Sequence, residues 1–218
     1  PASDDVAGDW TVNVSSLVLA KGEHLLLTGA SGSGKSTLLQ LVAGLLEPAQ
    51  GTVKVNGTTV HVLRGAARDR FRGQHIGMIF QTFNLLHGFS ALENVMAALM
   101  FSDIPAKEHR GRGGELLSRL GITDHHKQAD RLSVGQQQRV AVARAIACAP
   151  NLVLADEPTA SLDPENARAA VDIIREACAS SGAALLCVSH DPALPERFER
   201  RLGLHELMAG TVTSGEGR

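Results

Sequence analysis

Gly29 to Thr37 reads GASGSGKST, which fits the spacing G-x-x-x-x-G-K-[ST] of a phosphate-binding loop. Backbone N–H groups can curl around a β-phosphate only where no Cβ stands in the way, and Gly32 and Gly34 supply that freedom. Lys35 adds a point charge for the β- and γ-phosphates, and Ser36 offers a hydroxyl to Mg²⁺. Gly29, Ser31, Ser33 and Thr37 complete the cradle as further nucleotide contacts. The loop follows an apolar run and opens the helical run STLLQLVAGL, whose N-terminus contributes about half a positive charge. The predicted ligand is a Mg-nucleoside triphosphate.

A second chemical stretch is LVLADEP, Leu152 to Pro158, an apolar run ending in two carboxylates. Ligands collect at the carboxyl ends of strands in open α/β sheets. Adjacent strand residues face opposite ways, so the two acids have different tasks. Asp156 suits the Mg²⁺ shell. Glu157 suits an attacking water, as general base or as the group that orients it. Downstream, SLDP places Asp163 as a helix N-cap with Pro164 at the first helical position. His190 ends another apolar run, on the edge expected to carry Lys35 and Glu157, where it can hold a γ-phosphate.

The third stretch, LSVGQQQRVAVARAIA from Leu132, heads a helix with Ser133 and Gly135, and a helix N-terminus is suited to anions. A phosphate loop already exists a hundred residues earlier. The residues alone leave two readings of this helix end open, an anion site or a Ser-capped helix with no ligand.

The elements needed to position these residues are legible as an alternation of short apolar runs and helical segments, the pattern of a parallel sheet flanked by helices. Strands are predicted at His24 to Gly29, Ile76 to Phe80, Leu152 to Glu157, Ala184 to His190 and Arg201 to Glu206. Several are continuously apolar, as strands covered on both faces should be. Gly51 to Val60 alternates around Asn56-Gly57 and predicts an antiparallel hairpin. Between Asn84 and Cys148 helical patterns take over, broken at HRGRGG (His109 to Gly114), which reads as a solvated loop. The expected organisation is one domain: a core from residues 1–83 and 149–218, with a helical subdomain at 84–148.

Composition bounds the function. The chain has 218 residues, 44% hydrophobic, enough for one substantial core. With 21 basic and 23 acidic residues it lacks the basic excess of a dedicated nucleic-acid binder. Cys148, Cys178 and Cys187 stand at no metal-like spacing and read as reduced core thiols. His24 and the pair His125-His126 find no third ligand at metal spacing. The apolar runs Leu38 to Leu46 and Val95 to Phe101 are too short to cross a bilayer, and no signal peptide is legible.

Taken in order, these motifs resemble those of the ATP-binding cassette (ABC) ATPases. The resemblance identifies Gly29 to Thr37 as the phosphate loop, Gln81 in IFQTFNLL as the glutamine loop, and LSVGQ as the signature. It makes LVLADEP the second acidic motif, SLD the D-loop, and His190 the switch histidine. The fold it implies is a P-loop NTPase, RecA-like, with a parallel-sheet core, an antiparallel β region and an inserted helical subdomain. The cofactors it implies are ATP and Mg²⁺, with Gln81 beside Ser36 and Asp156 at the metal and beside Glu157 and His190 in catalysis. Two copies would stack head to tail. Ser133, Gly135, Gln136 and Asp163 would then serve the nucleotide across the dimer, which explains the second anion site.

QTFNLLHGFSALENV is most similar to the ATPases of lipoprotein-releasing and macrolide-exporting systems. The resemblance implies a partner permease in the membrane, docked near the glutamine loop, and a peripheral place on the cytoplasmic face of the inner membrane. Phe83, Leu85, Leu86 and Phe89 would line a groove there or belong to the core of the helical subdomain, with core packing expected for at least two of them. No nucleic-acid partner is expected. Two departures are visible. Val134 stands where the family usually has Gly, and Trp10 lies closer to the phosphate loop than the family's adenine-stacking aromatic. Competing classes are a soluble ABC protein of DNA repair or translation and a P-loop kinase. The first would carry coiled-coil insertions or two cassettes; the second would not need the signature helix.

Overall fold

The computed structural model describes residues 12–160 and 162–209, so Trp10 and Ser161 lie outside the described residues. A five-stranded sheet forms the centre, with the order β4-β5-β6-β1-β7 and all pairs parallel. The strands are β1 (His24–Thr28), β4 (Ile76–Ile79), β5 (Leu152–Asp156), β6 (Ala184–Ser189) and β7 (Arg200–Gly203). A short antiparallel pair, β2 (Lys54–Val55) and β3 (Thr58–Thr59), turns through Asn56 and Gly57, both at positive φ as such a turn requires.

Alternation explains why the runs are continuously apolar. Leu25 and Leu27 of β1 pack on one face with Leu154, Leu186 and the first helix, α1 (Lys35–Val42). Leu26 packs on the other with Val153, Leu185 and the helices α5 (Val134–Ile146) and α6 (Pro164–Ser181). Each fully buried leucine contributes roughly 2 kcal/mol of transfer free energy, and a strand apolar on both sides has nowhere stable but the middle. A third apolar cluster joins α3 (Ala91–Leu99) and α4 (Ala106–Arg119) to the outer side of α5.

One close approach fixes α5 against the sheet. A Cβ on Gly77 of β4 would lie 2.2 Å from the carbonyl oxygen of Ala145, so only glycine lets strand and helix meet there. The strand that leads to Gln81 and the helix that begins at Ser133 are thus in direct backbone contact.

The structure corrects the sequence reading in three places. HRGRGG is not a loop but lies inside α4. Gly113 sits where a Cβ would come within 2.9 Å of Leu92, and His109 is buried, its ring within 2.8 Å of the Ile104 carbonyl. Close packing of Gly113 on α3 offsets part of the helix-breaking tendency of this stretch. The last predicted strand ends at Gly203, because Glu206 accepts from the Gly203 N–H and starts the helix α7 (Leu204–Met208). A helix that the sequence did not announce, α2 (Gly65–His75), has no fully buried residue and no strong apolar stripe.

Candidate functional site

The carboxyl ends of β1, β5 and β6 bring the phosphate loop, the acidic pair and His190 to one edge. Gly32 and Gly34 have φ of 77° and 97°, values that side-chain-bearing residues rarely adopt, so the loop can close only with glycine there. Lys35 is 6% exposed. Its ammonium donates to the carbonyls of Gly29 at 2.7 Å and Ala30 at 2.9 Å, and pairs with Glu157 Oε1 at 3.3 Å. Ser33 Oγ is buried with no hydrogen-bond partner in the protein, a polar atom free to receive a ligand oxygen.

Ser36 Oγ donates to Asp156 Oδ1 at 3.0 Å, joining α1 to the end of β5. Burial pushes the Asp156 carboxyl above its usual range, the Ser36 hydroxyl pulls it down, and the neighbouring Glu157 raises it again. A hydroxyl and a carboxylate in contact, with the carboxylate under-compensated, are the hard oxygen donors that Mg²⁺ takes. Asp156 and Ser36 therefore fit the ion.

Glu157 leaves the strand altogether. Its φ of 46° is left-handed, a conformation that costs a non-glycine residue on the order of 1 kcal/mol and persists only where neighbours enforce it. Its N–H donates to Val188 of β6 at 3.0 Å, and its carboxylate accepts from the His190 N–H at 3.2 Å. The His190 ring stands 2.9 Å from Oε1. Burial acts to raise the Glu157 carboxyl, but the His190 ring and N–H, with Lys35 behind them, hold it below its ordinary range. The two acids therefore stand in different surroundings, Asp156 against Ser36 and Glu157 against Lys35 and His190. The difference comes from this backbone turn as much as from strand alternation.

Gln81 is exposed just beyond the end of β4. Since Ile79 pairs with Ala155, Gln81 lies on the same sheet edge as Asp156. Ser31 is exposed, and Thr37 half-buried, at the mouth of the loop. Ser133, Gly135 and Gln136 are elsewhere. Ser133 caps α5 in a reciprocal box: its Oγ accepts from the Gln136 N–H at 3.3 Å, and its own N–H donates to the Gln136 side chain at 3.1 Å. None of these bonds reaches the phosphate loop of the same chain. Ser133 and Gly135 are exposed, as is Val134, 48% exposed at the helix tip. Asp163 caps α6, its carboxylate accepting from the Asn166 N–H at 3.1 Å.

Gln138 was not singled out from the sequence. It is buried, and its amide donates to the Pro158 carbonyl at 3.2 Å, tying α5 to the loop that follows Glu157. Helical spacing was the available signal, since Gln138 shares the inward stripe of Val142 and Ala145.

A phosphate loop, a hydroxyl-carboxylate pair and a second acid held by a histidine, on one edge of a parallel sheet, define a P-loop nucleoside triphosphatase. A family model described as ABC transporter matches residues 12–160, and the chain belongs to that family: it is an ATP-binding and ATP-hydrolysing subunit. It is 44% identical over 201 residues to the lipoprotein-releasing system ATP-binding protein LolD 1 of Caulobacter vibrioides, covering 91% of this chain and 84% of that protein. It is 37% identical over 200 residues to the ABC transporter ATP-binding protein YtrE of Bacillus subtilis, covering 91% and 87%. Among solved structures it is similar to the ATP-binding cassette MJ0796, dimeric and bound to ADP and Pi, with TM-score 0.77, 32% identity, and coverage of 88% and 85%. The kinase alternative falls with this assignment.

Val134 carries an expected result. Its branched side chain stands exposed at the helix tip, where the resemblance expects Gly, and would crowd a phosphate brought to Ser133 and Gly135. Val134→Gly should raise ATP turnover, because the donors survive and the obstruction goes. Steady-state phosphate release measures it; an unchanged rate removes the idea.

Proposed function

We propose that two copies of this chain close head to tail around two ATP molecules and that closing and reopening drives a membrane permease. Each copy contributes Lys35 and its loop to one triphosphate and Ser133, Gly135 and Gln136 to the other, with Asp163 at the dimer seam. The observation that carries this reading is the α5 N-terminus: an exposed, anion-suited helix end whose hydrogen bonds do not reach its own phosphate loop. Ser36, Asp156 and Gln81 would hold Mg²⁺, which when bound neutralises charge on the phosphates. Glu157 orients and deprotonates the attacking water, and His190, exposed beside it, reaches toward the γ-phosphate.

Of the four apolar residues beside Gln81, Phe83 is buried and Leu85, half-buried, packs against the helical cluster, so these two serve the core. Leu86 and Phe89 remain exposed. A nearby groove of about 350 Å³ runs between α2 and the end of α3, lined by Met78, Phe80 and Phe101 and rimmed by Asp69 and Arg72. Phe80 directly precedes Gln81, which connects this groove to the sheet edge of the site. Met100, 77% exposed, adds to the apolar surface. Among the described residues no helix is long and apolar enough to cross a membrane, so attachment through a permease on the cytoplasmic face fits the chain. By likeness to the LolD proteins, the cargo is a lipoprotein or another hydrophobic molecule withdrawn from the membrane.

Charge placed in the groove tests the permease reading. Phe101→Glu combined with Met100→Glu should abolish co-purification with a membrane permease while basal ATP hydrolysis stays within about twofold, since surface changes seldom disturb a distant core. Retained co-purification counts against this surface.

A further inference from the structure

Arg144 lies on α5, eleven residues and about 16 Å beyond Ser133. Its guanidinium donates through Nη1 to the carbonyl of Asn84 at 2.5 Å and through Nη2 to the carbonyl of Phe83 at 2.7 Å. No carboxylate lies within ion-pair distance of it among the described residues, and burial lowers its affinity for the proton. A half-buried cation answered only by two neutral carbonyls is costly, and such a cost points to a task.

The two carbonyls belong to an unusual turn. Phe83 and Asn84 have φ of 59° and 46°, two consecutive non-glycine residues in the left-handed region. Asparagine tolerates this conformation, but a bulky phenylalanine is an outlier. The turn starts directly after β4: the Phe83 N–H donates to Phe80 at 3.0 Å, and the Asn84 N–H donates to Thr82 at 2.7 Å. Gln81 sits inside it, exposed and with no side-chain partner among the described residues, so the backbone of the turn sets its direction. On the far side, buried Asn94 grips the next stretch, accepting from the Leu86 N–H at 2.7 Å and donating to the Leu86 carbonyl at 3.3 Å.

We infer that Arg144 is the positioning residue for Gln81: its planar fork holds the strained turn in place and ties it to the helix that bears Ser133. The inference rests on the reading of Gln81 as a group at the metal and water. The guanidinium meets the two carbonyls with donors fixed in one plane; a lysine ammonium can also reach two carbonyls, as Lys35 does, but without that rigidity it holds the turn less firmly. The consequence is that the loop facing a chain's own nucleotide and the helix facing its neighbour's shift as one piece.

The test uses the full chain with Arg144→Gln and Arg144→Lys, and Gln81→Ala in parallel. Amide exchange of residues 81–85 should rise about tenfold in Arg144→Gln, as for the loss of one good hydrogen bond, with β5 and β6 unchanged. Arg144→Lys should fall between, and it supplies the answer if Arg144→Gln does not fold. The Mg²⁺ concentration for half-maximal turnover should rise several-fold in both, with ATP affinity in the absence of Mg²⁺ unchanged. Unaltered exchange in residues 81–85, or an increase spread evenly over the molecule, overturns the assignment. If Gln81→Ala alone leaves the Mg²⁺ requirement at the wild-type value, the role given to Gln81 fails separately, and exchange in the turn still decides for or against Arg144.

Discussion

Glu157→Gln should lower ATP turnover by about 10²- to 10⁴-fold, the usual contribution of a positioned general base. The substitution keeps size and shape, and its amide oxygen can still accept from the His190 N–H. It removes the charge that faces Lys35 at 3.3 Å, so ATP meets less competition for that ammonium and should bind at least as tightly. With binding intact and hydrolysis stopped, the closed dimer should accumulate. Size-exclusion chromatography with light scattering should show the mass doubling with ATP and remaining single without it. A variant that stays monomeric at saturating ATP rules out the head-to-tail arrangement, and one that turns over normally removes Glu157 as the base.

Lys35→Met should act in the opposite direction, weakening binding while leaving the fold recognisable. Losing a buried, charge-assisted donor to a phosphate costs about 3 kcal/mol, or roughly a hundredfold in affinity for ATP. The empty protein should suffer as well. Lys35 and Glu157 bury each other's charge, with side chains 5% and 12% exposed, and removing the cation leaves the carboxylate with His190 as its remaining ring partner. The apo form should lose about 1–3 kcal/mol of stability for that reason. A fluorescent nucleotide titration and a thermal melt measure the two effects separately. Wild-type affinity in the variant would detach Lys35 from the phosphates.

Much of this was legible in the sequence wherever one physical rule acted alone. Short continuously apolar runs such as LLL at Leu25 to Leu27, bounded by turn residues, fit strands covered on both faces, and the phosphate loop announced its glycines through the backbone freedom its chemistry needs. The sequence misled where tertiary contact overrode local tendency. Gly111, Gly113 and Gly114 read as a break, yet Gly113 is there to let α4 approach Leu92. The helix α2 went unread because it buries no residue fully and shows no apolar stripe. Within the site, residue types and order were visible, but the left-handed turn at Glu157 and the paired turn at Phe83 and Asn84 were not. Glu and Phe do not advertise a positive φ, and surrounding contacts impose it on them; of the three only Asn84 is of a type that tolerates it.

The ion pair between Lys35 and Glu157 has a consequence for timing. If Glu157 is the base, the ammonium joins the larger hold of His190 in the idle subunit and would keep the carboxylate slow to activate any passing water. A triphosphate that draws Lys35 to itself withdraws this restraint and adds negative charge nearby, and both changes make the same oxygen greedier for a proton. On that reading the catalyst would be sharpened by the arrival of the molecule it will cut, through the shift of one side chain.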